Sequence, residues 1–426
     1  MSWRNHKHMN GILCFFLTAV FLGAAEAPKE QPDYVPQAGT FPPAGAGVYV
    51  SGELVAIDPI NRRGVLRLDG DRVEDKYDKG AILPFAMLPY GSIRRHNAPA
   101  ELRDLAIGTH VHGRFLLPPK GEEKTVRPGR LPQYVPKQNH ALWLEDDPSF
   151  YRRHGQVWKV KSITLTYDSS DPHYPPIRPP GDWRKTQVYG SITVEAAGTR
   201  APNGRPATET FSIDRSTRLW RGREAIDWED VAGATGWKKI DQQKRQWKPE
   251  DLTVQLAFAW HSNWAQLKFH VADIWVDDAS LEVAADRQRQ QHIRRQKNFW
   301  LPGWVDHVEH LGGSNGIVTI TLFDGMDPLL YRAVKHQANP GGGASIAVAT
   351  KTLRTWRTNY HKIPNGRVTE VKELKDPPPG SSELQIRIKV GYLQEGLRPG
   401  RIVRVGPNSF PRSWPPPEWK AQGLDD

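Results

Sequence analysis

Alternating apolar and polar residues are the most regular feature of this chain. The pattern runs through 48–58 and 65–68, on either side of a turn at 59–63. It returns near the other end at 384–390, where every second residue is Leu, Ile or Val. A period of two residues is typical of a strand with one buried face. Further strands are predicted at 157–167, 188–195, 208–213, 252–260 and 267–276.

Two glycines predict where small barrels close. The spacing Leu-x2-Gly-x2-Val occurs at 105–111 and again at 397–403. A glycine permits a sharp bend before a strand, so we expect Gly108 and Gly400 at such bends. Between the apolar segments 304–309 and 317–323, Asn315-Gly316 predicts a hairpin turn.

These patterns predict a mainly β protein of tandem small antiparallel barrels, OB-like or SH3-like, joined by Pro-rich linkers and one helix. The barrels are predicted at 46–118 and 301–410, the second with a short helix at 327–336. A strand-rich, Trp-rich region at 140–278 forms either one barrel with insertions or two. Linkers are expected at 26–45 and 119–139, and a Pro-rich tail at 411–426. The connecting helix, 279–300, has Asp277 or Asp278 as its N-cap.

The first 25 residues have the pattern of a secretory signal. Arg4 and Lys7 precede an apolar run at 12–22, and small residues follow it at 23–25. We predict cleavage after Ala25, and therefore export to the periplasm, cell envelope or extracellular space. No apolar run of the chain, the leader's included, reaches the roughly 20 residues of a membrane-spanning helix.

Composition narrows the chemistry of the exported chain. The single cysteine of the 426 residues, Cys14, lies inside the leader, so disulfides and cysteine chemistry are excluded after cleavage. Cleavage removes two of 58 basic residues and no acidic one, which lowers the net charge from +11 to +9. A moderate positive charge favours an anionic partner. We expect an acidic envelope polymer or an envelope protein, and not nucleic acid.

Four segments carry a resemblance to a known group of proteins. They are residues 142–147, 301–306, 317–325 and 398–404. With them, most of 140–410 resembles a family of uncharacterised exported proteins of planctomycete-type bacteria. The first module is more loosely similar to small OB-like export modules. The resemblance implies barrels and export, and it implies no activity.

Aromatic and basic residues provide the main candidate for ligand binding. Twelve of the sixteen tryptophans lie between Trp143 and Trp304. Alternation places Trp260 and Trp275 on apolar strand faces, which predicts a core position for both. The remaining candidates share a polar stretch rich in arginine and lysine, where indole rings and cations can grip an acidic polymer. This tryptophan–cation group consists of Trp220, Arg221, Arg223, Trp228, Trp237, Lys238, Lys239 and Trp247. The alternative is that the rings cover barrel ends while the cations stay solvated.

A histidine pair provides the candidate for a metal site. His110 and His112 flank Val111 on a predicted strand, so both side chains point to the same face. With a third ligand they could bind zinc or copper; His96 is the nearest histidine. Two solvent-facing histidines are the alternative. We find no pattern for a catalytic residue or an organic cofactor.

The sequence therefore favours an exported non-enzymatic binding or scaffold protein. One alternative is an enzyme, or an accessory to one, that acts on an acidic polysaccharide. Another is a single-strand nucleic-acid binder that uses a basic barrel face such as the one carrying Arg387 and Lys389.

Overall fold

Three closed β-barrels follow one another along the chain in a computed structural model of the protein. The structure describes residues 33–69, 81–123, 135–166, 188–197, 208–214, 216–241, 244–260, 269–337, 342–348 and 362–407. The predicted leader with Cys14, and the tail from 411, lie outside these ranges. The predicted fold class, tandem small barrels with a connecting helix, is confirmed.

The first barrel closes in the order β1-β2-β3-β6-β5-β1, in which only β3 and β6 run parallel. A short strand, β4, pairs antiparallel with the end of β3, and a 3-10 turn spans Leu102–Asp104. This strand order is that of an OB barrel. The strands are β1 Val48–Asp58, β2 Arg63–Leu68, β3 Ile82–Arg95, β4 Ala98–Ala100, β5 His110–Leu116 and β6 His140–Asp146.

The predicted first module ends too early. Strand β6 pairs with both β3 and β5, so the barrel extends to Asp146 and not to 118. The predicted linkers also contribute to packing. Phe41 contacts Tyr90, Trp304 and Phe323 with ring centroids 5.3–6.4 Å apart.

The second barrel has the same strand order as the first. It closes as β7-β8-β9-β15-β14-β7, again with one parallel pair, β9 and β15. Residues 140–278 therefore contribute the last strand of the first barrel and one further barrel with an insertion. A short helix, α1 Asp147–Arg153, connects the two barrels. The strands are β7 Val157–Thr166, β8 Val188–Ala197, β9 Thr208–Asp214, β14 Thr253–Trp260 and β15 Phe269–Trp275.

The insertion lies between β9 and β14 and extends the sheet at both ends. Strands β10 and β11 add beside β15, whereas β13 and β12 add beside β7. The helix α2 begins after Asp227, whose side chain accepts a hydrogen bond from the Asp230 amide at 3.0 Å. These elements are β10 Arg218–Arg221, β11 Glu224–Ile226, α2 Trp228–Gly236, β12 Lys238–Lys239 and β13 Lys244–Trp247.

The third barrel differs in order and closes as β16-β17-β20-β19-β18-β21, entirely antiparallel. Leu384, Ile386, Ile388 and Val390 point into it, as their alternation predicts. On the outer face, Arg387 pairs with Glu309 and Glu370. The elements are β16 Leu301–Gly312, β17 Asn315–Phe323, α4 Pro328–Gln337, β18 Gly343–Val348, β19 Lys362–Glu373, β20 Ser381–Val390 and β21 Ile402–Pro407.

The connecting helix, α3 Asp278–Phe299, packs against the first barrel. Asp277 is its N-cap and accepts a hydrogen bond from the Ser280 amide at 2.6 Å, as predicted. Asp104 of the first barrel accepts hydrogen bonds from Gln288, Gln291 and Arg295. Tyr90, Leu116 and Leu142 of the first barrel also join the apolar core of the third.

Two local predictions had different outcomes. Gly108 and Gly400 have φ of 93° and 77° and lie two residues before β5 and β21, so both bends are present. The β16–β17 hairpin turns instead at Gly313-Ser314, because Gly312 already pairs with Asn315. Among the described residues, no helix is long and apolar enough to cross a membrane.

Candidate metal centre

A buried histidine–aspartate cluster lies on the outer face of the first barrel. Strand β5 carries His110 and His112, whose side chains share this face with Ser51 on the adjacent β1. The core side chains of the same strands, such as Val111, point to the other face. Asp147 comes from the first turn of α1, directly after β6, which pairs with β5.

The second barrel covers this face and explains its burial. His110, His112 and Asp147 are 5%, 4% and 1% exposed. Phe150 of α1 stacks on the His112 ring, with centroids 3.9 Å apart and planes inclined by 11°. Phe258 of β14 donates its backbone N–H to Asp147 Oδ2 at 2.8 Å. The predicted alternative of solvent-facing histidines is therefore wrong.

One carboxylate oxygen joins the two histidines. Asp147 Oδ1 lies 2.7 Å from His110 Nδ1 and 2.8 Å from His112 Nε2. These three atoms all lie within 4.8 Å of one another. Two imidazole nitrogens and a carboxylate oxygen around one point are a donor set that zinc and other first-row divalent cations accept.

The far atom of each of these side chains is also held. His110 Nε2 lies 2.9 Å from Asp69 Oδ2, which also accepts a hydrogen bond from the Ser51 hydroxyl at 2.6 Å. His112 Nδ1 lies 2.5 Å from the Tyr49 hydroxyl. Asp147 Oδ2 accepts from the Phe258 amide. Metal-binding histidines and carboxylates are oriented by partners of this kind.

Burial and charge set the protonation of the cluster. Burial lowers the pKa of His110, but the Asp147 and Asp69 carboxylates outweigh it and raise the pKa to about 10. Burial likewise keeps the pKa of His112 below its usual value, despite the hydrogen bond to Asp147. The metal-free cluster thus holds two carboxylates, one imidazolium and one neutral imidazole, a buried net charge of one negative unit.

A divalent cation fits this cluster. It would replace the proton on His110 Nδ1 and balance the two carboxylates. The His112 proton, which Nε2 donates to Asp147 in the metal-free cluster, would move to Nδ1 and be donated to the Tyr49 hydroxyl. Zinc binds His nitrogen and carboxylate oxygen at about 2.0–2.2 Å, so tetrahedral ligand atoms lie about 3.3 Å apart. The Asp147 oxygen would move about half an ångström away from each histidine nitrogen. The hydrogen bonds that hold the opposite atoms, to Asp69, Tyr49 and the Phe258 amide, can persist.

The predicted third ligand, His96, lies elsewhere. Its backbone amide donates to Asp146 Oδ2 at 2.8 Å, and its ring packs edge-on against Trp275, 5.2 Å away. Asp147 takes the third place instead. Its position depends on the β5–β6 pairing across a predicted linker, and no local sequence pattern reports that pairing.

The tryptophan–cation group does not assemble around one point. Trp228 belongs to the core of the second barrel, and Trp237 and Trp247 pack against that core. Their rings are 6.0 Å apart, with the Arg245 guanidinium 4.6 Å from the Trp237 centroid. Trp220 is half-buried beyond the other end of the sheet, on β10.

The charged side chains of this group lie at the protein surface. Lys238, Lys239 and Arg223 are exposed, and Arg221 donates to the Asp230 carbonyl at 3.2 Å. The Trp220 indole donates to Asp273 at 2.7 Å. Ligand binding by this group stays a prediction. Trp275 is buried as expected, while the Trp260 side chain lies outside the described residues.

Comparison with known proteins adds no further constraint. Neither protein-family models, nor curated proteins, nor solved structures gave a match to this chain. The chemistry of the centre is therefore argued from its own geometry.

Proposed function

We propose that this protein is an exported, non-enzymatic scaffold of the periplasm or cell envelope, in which a zinc ion bound by His110, His112 and Asp147 fixes the first barrel to the second. The observation that carries the proposal is the double anchoring of this cluster. Each of the three donor atoms faces the others, while the opposite atom of each side chain is held by a separate partner.

The position of the centre favours a structural role. Structural zinc sites are closed, whereas catalytic sites keep one position open to substrate. All three side chains are buried where the outer face of one barrel meets the next. Three protein ligands with a water as the fourth also occur in catalytic zinc sites, so the structural role rests here on burial, which keeps a substrate from the fourth position. The metal would thus fix the angle between two barrels that share no covalent cross-link.

The surface favours a binding role for the scaffold. A net charge of +9 after leader cleavage, and the exposed cations of the inserted segment, suit an acidic envelope polymer or envelope protein. The outer face of β20 suits nucleic acid less well, because Arg387 is paired with two glutamates. We therefore keep the envelope partner as the proposal.

Metal content and stability test the zinc proposal together. The mature chain from Glu26 is purified, and its metals are measured by inductively coupled plasma mass spectrometry. We expect about one zinc per chain. Chelation should lower the melting temperature by several degrees and added zinc should restore it, because a ligand bound only by the folded state stabilises that state. Stoichiometric iron would contradict the structural role, since two histidines and one carboxylate also form redox-active iron sites.

Two variants and a matched control locate the metal. His112→Gln and Asp147→Asn keep the side-chain size and remove a donor, so both should lose stoichiometric zinc. His154→Gln changes an exposed histidine that follows the same short helix and should keep it. Equal zinc in all three variants would place the metal elsewhere and overturn the proposal.

A further inference from the structure

A second feature, independent of the metal centre, is a cavity of 360 Å³ between the first barrel, α3 and the third barrel. Small-molecule sites in proteins have volumes of this order and combine apolar walls with a few polar groups. The apolar side chains that stay partly exposed here include Ile60 and Pro89 of the first barrel and Phe299 at the end of α3. The cavity therefore has room for an apolar body beside its polar groups.

Three polar side chains of the lining come from neighbouring parts of the fold. They are Arg62 in the turn before β2, Ser92 on β3 and Asp324 directly after β17. Strand β3 touches the loop after β17, because a methyl group placed on Gly325 would lie 2.2 Å from Ser92 Cβ. On the preceding residue of β3, Gly91 O accepts a hydrogen bond from Arg62 Nη2 at 2.6 Å. Ser92 thus adjoins the surroundings of both charged groups.

Each of these three side chains keeps a polar group that the protein does not use. Arg62 donates from its two terminal nitrogens to three backbone carbonyls of β3, which leaves its Nε–H without a partner among the described residues. Within the same ranges, neither the Ser92 hydroxyl nor the Asp324 carboxylate has a hydrogen-bond or ion-pair partner. Arg62 and Ser92 are partly exposed, Asp324 is exposed, and none of these atoms is shut off from solvent. A molecule in the cavity can therefore reach all three.

The two charges line the same cavity but do not pair with each other. No ion pair joins Arg62 to Asp324 in the part of the chain that the structure describes. Burial lowers the pKa of Arg62 only to about 10, so its side chain is charged near pH 7. The other charged side chains of the lining have partners: Glu101 pairs with Arg103, and Arg404 donates to two backbone carbonyls where α3 ends. One positive and one negative group thus remain for a ligand.

We propose that this cavity binds a small zwitterion with an apolar side group, of the kind of an apolar α-amino acid, between Arg62, Ser92 and Asp324. The ligand carboxylate accepts hydrogen bonds from Arg62 Nε–H and the Ser92 hydroxyl, and the ligand ammonium group donates to the Asp324 carboxylate. Hydrogen bonds between charged groups are about twice as strong as neutral ones. The apolar side group lies against Ile60 and Phe299. Such a ligand joins the first barrel to the third.

Phenylalanine is the probe, and isothermal titration calorimetry of the mature chain is the measurement. Hydrocinnamate has the same aromatic body and carboxylate but no ammonium group, and phenethylamine has the ammonium group but no carboxylate. We expect phenylalanine to bind at least about tenfold more tightly than either control, because each control lacks one of the two charged contacts. The proposal would be overturned if either control bound as tightly as phenylalanine, or if phenylalanine did not bind.

A variant ties the ammonium group to Asp324. Asp324→Asn keeps the size of an exposed side chain and removes its charge, so phenylalanine affinity should fall by about tenfold or more while hydrocinnamate binds no more weakly than to wild type. Asp251→Asn, at an 88% exposed side chain before β14, is the matched control and should bind like wild type. Unchanged phenylalanine affinity in Asp324→Asn, or an equal loss of both ligands, would contradict the assignment.

A second variant locates the carboxylate. Ser92→Ala removes one donor, so phenylalanine and hydrocinnamate should each bind about threefold or more weakly, whereas phenethylamine affinity should not change. Equal affinity of phenylalanine for Ser92→Ala and wild type, or a loss confined to phenethylamine, would overturn the proposed orientation.

Discussion

Asp104 is the residue whose loss should most weaken the contact between the first barrel and α3. Its side chain is 1% exposed and accepts four hydrogen bonds. Three come from the helix, from Gln288, Gln291 and Arg295, and one comes from the Glu101 amide at 2.8 Å. The change we consider is Asp104→Ala.

The expected cost follows from these contacts. Removing one partner of a buried ion pair typically costs about 3–5 kcal/mol of stability. Arg295 is 21% exposed and retains Glu101 at 3.8 Å, so water and that carboxylate recover part of the loss. We therefore expect a loss of about 2–4 kcal/mol in the free energy of unfolding. At about 2–4 °C per kcal/mol, the melting temperature should fall by about 4–16 °C.

Differential scanning calorimetry of the mature chain measures this shift. Asp286→Ala is the matched control, because Asp286 lies on the same helix, is 58% exposed and pairs with Arg289. Exposed ion pairs contribute little, so we expect its melting temperature within about 1 °C of wild type. A similar result for Asp104→Ala, or an equal loss in both variants, would refute the account of how α3 docks.

Four further predictions rest on single features. Burial lowers the pKa of His140 and His292 to about 4, against about 6.5 in the unfolded chain. The folded state therefore binds fewer protons than the unfolded state between these pH values, so the free energy of unfolding, measured with urea, should fall as the pH drops from about 6.5 towards 4. The fall should be less steep in His292→Leu. Gly400→Val should destabilise by about 1–3 kcal/mol, because φ is 77° there; an unchanged melting temperature would contradict it. Trp237→Ala should lower the melting temperature by several degrees, since the ring packs on the core; loss of iodide-quenchable fluorescence without destabilisation would instead indicate an exposed ring. N-terminal sequencing of exported protein should begin at Glu26, and an intact Met1 would exclude cleavage.

The fold could be predicted wherever the signal is local. Alternation identified the strands around Leu384 and Trp275, and a capping aspartate, Asp277 or Asp278, identified the start of α3. The positive φ of Gly108 and Gly400 follows from glycine's lack of a side chain. In each case neighbouring residues alone decide the backbone conformation.

Pairing between distant segments was not predictable in the same way. Strand β6 follows a proline-rich stretch and completes the first barrel through a parallel pairing with β3. The shared glycine spacing suggested that the first and third modules are alike, whereas strand order relates the first barrel to the second. A bend motif reports local geometry and contains no information about which strands become neighbours.

The candidate centre shows the same limit. Because His110 and His112 are two residues apart on a strand, the sequence placed both on one face. The second barrel buries that face, and its strands come later in the chain than the histidines. Asp147 lies 35 residues after His112, and Asp69 lies 41 residues before His110. Neither carboxylate has a spacing that marks it as a partner, because tertiary packing alone brings the four side chains together.

The most direct test of the metal centre is anomalous diffraction from crystals of the mature protein at the zinc absorption edge. The account predicts one strong anomalous peak per chain, within about 2.0–2.2 Å of His110 Nδ1, His112 Nε2 and Asp147 Oδ1. The account would be contradicted if protein purified with zinc gave no peak there and the three side chains were still hydrogen-bonded to one another.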